Sequence, residues 1–108
     1  MISRDRLEKA LRYIAETDED LADAKTEVER ATWLCKQTRA IVYEMVDGKS
    51  IEDRKQAVER SEKVEEAELR RIKAIGVLEH LRAKRASEEI IIQVFRTLEA
   101  SRRKETIT

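Results

Sequence analysis

Counting by sevens from Leu7 meets Leu7, Ile14, Leu21, Val28, Cys35 and Val42, six apolar residues without a miss. A second column, counted from Ala10, reads Ala10, Thr17, Ala24, Ala31, Thr38 and Met45. Two such columns three residues apart are the a/d seam of a long amphipathic helix. The second column is small for most of its length, so a neighbouring helix can approach closely. Leu11, Leu34 and Ile41 widen the stripe. The pattern predicts a first helix over about residues 3–46.

It should stop within "MVDGKSIED". Gly48 is expected to take the left-handed conformation that closes a helix. Ser50 stands where an N-cap belongs, with Asp53 three residues on. The turn is thus 47–50, and a second helix follows over about 51–103. So short a connection makes the two helices antiparallel neighbours. Ser61 could cap a fresh helix and kink the second one at 59–62, leaving a short connecting helix before it. The main stripe of helix two reads Val58, Val64, Ala67, Glu68, Ile72, Ile75, Gly76, Ala83, Ala86, Ile90, Val94 and Leu98, with Glu68 as the polar intruder.

Ile90, Ile91 and Ile92 cannot share one side of a helix, because successive residues step about 100° around the axis. Ile92 and Phe95 continue a second stripe through Ala74, Leu78 and Leu81. A two-helix hairpin has one inside. Leaving the second stripe in water would forgo ~1.5–3 kcal/mol per large side chain. It would also create an apolar patch of a kind monomers seldom carry. The expectation is self-association through Leu78, Leu81, Ile92 and Phe95, as a dimer with four helices about a two-fold axis.

Composition supports long helices over a compact globule. The chain has 108 residues, 43% of them charged, no proline and two glycines. That length suits one domain. High charge favours disorder, but 23 basic residues balance 23 acidic ones and the apolar positions keep register. Charge also argues for antiparallel pairing. Residues 16–29 carry seven acids against Lys25, net −6, and residues 70–85 carry six bases against Glu79, net +5. Folding at Gly48 lays these stretches side by side, where their role is to set direction and register more than strength.

Little in the chain points to catalysis. Cys35 sits on a heptad core position, where cysteine packs as a small apolar residue. His80, the single histidine, has no second histidine or cysteine beside it, and a metal site needs three or four convergent ligands. The acids of "ETDEDLADAKTEVE" spread around the helix, Val77 stands where a Glu-x-x-His pattern would need glutamate, and no glycine-rich loop could cradle phosphate. The reading is no enzyme, no cofactor and no metal. Trp33 lies off the seam, as do Tyr13 and Tyr43. It is either a partly covered flank ring or a partner contact. Arg96, Arg102, Arg103 and Lys104 near the end either meet the helix dipole or contact nucleic-acid phosphates. No apolar run approaches the ~18 residues of a membrane span. The N-terminus lacks a signal-peptide core, and the single cysteine suits a reducing compartment, so a cytoplasmic location is expected.

The stretch "LRAKRASEEIIIQVFRTLEASRRK" resembles the ends of small helical-hairpin proteins of tailed bacteriophages and prophages, with Phe95, Leu98, Ala100, Arg102 and Arg103 as the matching positions. "IVYEMVDGKSIEDRKQ" resembles their middle turn. The resemblance covers about the last two-thirds of the chain. It implies a coiled-coil hairpin in an accessory role close to phage replication and recombination, and it supplies no catalytic residues. The expected protein is all-α and non-enzymatic, a structural or adaptor protein that self-associates. The alternative is a nucleic-acid-binding accessory factor using the basic tail. A third class is a regulator docking on a phage or host protein through Trp33 and the acidic stretch.

Overall fold

The computed structural model describes residues 2–107, with side chains through Glu105. It is all-α. Among the described residues the helices are α1 (Arg4–Glu16), α2 (Asp18–Met45), α3 (Ile51–Glu59) and α4 (Glu62–Ile107). They form two compact units. One combines Met1–Ala22 with Glu79–Thr108, and the other is Asp23–Leu78.

In the first unit α1 packs against the C-terminal part of α4. Contacts descend along α4 as they ascend along α1: Arg6 reaches Glu88, and Thr17 and Asp18 reach Arg85. The helices are therefore antiparallel here. Ala10 is fully covered. Ser3 caps α1, its hydroxyl accepting from the Arg6 N–H at 3.1 Å.

The helix expected over 3–46 is interrupted at Thr17. The Thr17 hydroxyl donates to the Tyr13 carbonyl at 2.7 Å, a back-bond that bends helices. Arg85, the one buried charged residue among those described, meets the chain at this break. Its Nη1 donates to the Ile14 carbonyl at 2.9 Å and to Thr17 Oγ1 at 2.6 Å, and its Nη2 donates to Asp18 at 2.7 Å. A guanidinium has no use for burial unless its donors are satisfied. A main-chain carbonyl, a hydroxyl and a carboxylate meet that need. The ladder still runs through the bend, Thr17 N–H to Tyr13 and Leu21 N–H to Thr17. The seam keeps its register on both sides for the same reason.

The second unit joins α2, α3 and the first part of α4. Ala24, Ala31, Cys35 and Val42 line the covered side of α2. Val42, Val58 and Val64, one from each helix, meet in a small core flanked by Tyr43 and Val46. Ser50 is the N-cap of α3, accepting from Asp53 N–H at 3.1 Å. Gly48 does not have the left-handed backbone expected of it, since no residue has positive φ among those described. Its glycine is required by close approach. A Cβ there would lie 2.7 Å from Arg54 Cγ and 2.9 Å from Arg54 N. Arg54 folds over the turn, with its guanidinium 4.9 Å from the Tyr43 ring centre and Nε 3.4 Å from the Val46 carbonyl. The second helix of the sequence reading is likewise divided, at Arg60–Ser61, and α4 runs on to Ile107.

The seam of helix one is covered as its spacing predicts, except that Met45 is exposed. Val58 and Val64 of the expected inner stripe of helix two are buried, but farther along the helix the two stripes are exchanged. Ala74, Leu78 and Ile92 are buried, with Leu81 and Phe95 partly so. Ile72, Ile90, Val94 and Leu98 of the supposed inner stripe are exposed.

Arg85→Gln is expected to destabilise the protein by ~1.5–3 kcal/mol, the range for hydrogen bonds to a charged group. Asp18→Asn should cost under ~1 kcal/mol, because Asp18 faces water. Urea unfolding measures both, and equal losses would show that Arg85 is not held by the carbonyl and hydroxyl.

Candidate interaction surface

Leu78 and Ile92, expected to join copies of the chain, are 6% and 9% exposed and serve the inner face of α4. Leu81 and Phe95 share that face. What remains uncovered in the first unit is the opposite side of the same helix: Ile90 at 60%, Val94 at 41% and Leu98 at 47% exposed. These three are spaced four apart and lie along one side of α4. Two grooves flank the helix end. One is lined by Ile2, Val94, Phe95 and Leu98, the other by Leu7, Leu11, Ile92 and Phe95.

The polar surroundings in this unit follow from the same inner face. Both Glu88 oxygens lie within 2.9 Å of Arg6 Nη2. Hydrogen-bond geometry is met at Oε1, and Oε2 is held by charge alone. Lys84 sits 5.2 Å from the Tyr13 ring centre. The basic residues Arg96, Arg102, Arg103 and Lys104 are all exposed. Arg102 reaches Glu99 at 3.9 Å. Arg96 and Arg103 border the groove beside Leu11 and have no ion-pair partner among the described residues.

In the second unit Trp33 is 58% exposed on α2, with Ile41, Met45, Leu69, Ile72 and Val77 also in water. Glu68, the polar intruder, is a bridge. Its Oε1 lies 2.9 Å from Arg39 Nη1 and its Oε2 3.1 Å from Arg71 Nε. Arg39 also holds Glu59 at 2.8 Å, so one guanidinium ties α2 to both α3 and α4 across the Arg60–Ser61 break. The Arg39 hydrogen bond holds the Glu59 carboxyl below the usual range. Glu68 is lowered by Arg39 and then Arg71. Cys35 is buried nearby. Burial first, then the Glu68 charge, raises its thiol against the opposing pull of Arg39 and Arg71, which keeps it protonated and unreactive. His80 is exposed, and no group of three or more histidine, cysteine or acidic side chains could hold a metal among the described residues. No described helix is long and apolar enough to cross a membrane.

Comparison with protein-family models, curated proteins and solved structures finds no match.

The Glu59 and Glu68 values are depressed by folding, so their contribution is present above the ordinary glutamate range and fades as pH falls through it. Stability should therefore drop below about pH 4.3. Arg39→Gln should lower stability at pH 7, and its deficit relative to wild type should shrink by pH 3. Urea midpoints across pH test this, and a deficit independent of pH would contradict it.

Proposed function

We propose that this is a non-enzymatic structural or adaptor protein that self-associates through α4. The supporting observation is the outward row Ile90, Val94 and Leu98, each at least 41% exposed. Three large aliphatic side chains on one side of a helix form a contiguous apolar strip, and such strips mark protein contact sites. A second protein surface recovers ~1.5–3 kcal/mol for each such side chain that it covers fully. This moves the proposed contact from Leu78, Leu81, Ile92 and Phe95 to the other face, while keeping its cause, which is more apolar flank than the chain covers itself. The phage-protein resemblance of the C-terminal stretch fits an accessory role of this kind. Trp33 offers the second unit a separate contact of the sort enriched in interfaces.

The test is the mass in solution. Val94→Asp with Leu98→Asp should convert a multimer, measured by light scattering, to single-chain mass with unchanged helical circular dichroism. A wild type that is already a single chain at high concentration removes the proposal.

A second reading, a nucleic-acid-binding accessory factor, has its own observation. Arg96 and Arg103 are exposed and without ion pairs among the described residues, beside Arg102 and Lys104. Phosphate contacts release counterions, so such binding weakens steeply with salt. Single-stranded DNA should bind at low salt, and Arg96→Glu with Arg103→Glu should abolish that binding. Absence of binding at low salt ends this reading.

A further inference from the structure

The first unit is electrically divided along its length. Residues 2–12 and 90–105, one end of the α1–α4 pair, hold eight basic and four acidic residues, net +4. Residues 13–22 and 79–89, the other end, hold seven acidic and three basic residues, net −4. The pairing that makes these ends real is geometric. Leu7 and Leu11 line a groove with Phe95 and Arg103 at the basic end. Tyr13, Thr17 and Asp18 meet Lys84 and Arg85 at the acidic one.

The outward apolar row begins at the charge boundary, with Ile90 as the first residue past it. Small side chains continue the same side of α4 in both directions, Ser87 seven residues before Val94 and Ser101 seven after it. Both serines are exposed.

We infer that the occupant of this row is a second copy of the chain, laid antiparallel about a two-fold axis crossing α4 at Val94. This rests on the self-association reading above and adds the direction and centre of the contact. An axis at Val94 sets Val94 against itself and Ile90 against the second copy's Leu98, so all three exposed aliphatic residues are covered at once. It also sets the +4 end of each copy beside the −4 end of the other. A parallel pairing would cover the same residues but gather the two +4 ends at one end of the dimer and the two −4 ends at the other. Charge choosing direction in this way is its ordinary use in paired helices. A closed two-fold contact is also the commonest way for one surface to satisfy itself.

Disulfide trapping reads the direction. In a Cys35→Ala background, Ser87→Cys protein is mixed with Ser101→Cys protein under mild oxidation. The antiparallel arrangement predicts the mixed 87–101 disulfide as the main covalent product, falling severalfold when salt is raised. Products linking 87 to 87 and 101 to 101 would overturn the inferred direction while leaving self-association standing. A wild type that light scattering shows to be a single chain, with no disulfide product, would overturn both.

Discussion

Which flank of α4 turns inward is the constraint on which the exposed surface depends, and the partner side is lined with small residues. Ala10, Ala24 and Ala31 are all buried. A surface of alanines can be approached closely, and close approach is favourable only if large side chains fill the space between backbones. On α4, Leu78 and Ile92 are buried and Leu81 and Phe95 partly so. Choosing these residues for the inside decides what is left outside. Ile90, Val94 and Leu98 are exposed because they lie on the opposite flank of α4.

That inner face carries charge, which is the second constraint. Leu78, Arg85 and Ile92 are seven apart, as are Leu81, Glu88 and Phe95. Arg85 and Glu88 therefore enter the seam together with their apolar neighbours and must find partners there. Arg85 finds the Ile14 carbonyl, Thr17 and Asp18, and Glu88 finds Arg6. Such pairs fix register more than they add stability. Arg39, Glu59, Glu68 and Arg71 do the corresponding work in the second unit, across the break between α3 and α4.

Much of this was legible in the residues. The seam of helix one, the turn near Gly48 and the Ser50 cap follow from spacing and cap chemistry. Opposed charge in 16–29 and 70–85 did signal neighbours, realised in Asp18–Arg85 and Glu27–Arg70. The facing of helix two follows the sequence pattern at Val58 and Val64 and departs from it farther along, because the pattern sets Leu78, Leu81, Ile92 and Phe95 against a partner and leaves out Arg85 and Glu88, which share their phase. Their heptad phase with Leu78, Leu81, Ile92 and Phe95 was the available signal. The bend at Thr17 was hidden for a different reason. Its partner is an arginine 68 positions away, and threonine alone is common within helices. Gly48 was chosen correctly for a turn but for the wrong cause, close approach of Arg54 and not backbone handedness.

Function follows from the face that remains. The proposed contact, its direction and its partner all change if α4 is turned the other way about its axis. Thiol labelling of dilute, monomeric protein reads that orientation directly. In a Cys35→Ala background, a cysteine placed at Ile90 should react at a rate close to that of an unfolded thiol, and one placed at Ile92 many times more slowly. Faster labelling at 92 than at 90 would contradict the packing described here and the interface built upon it.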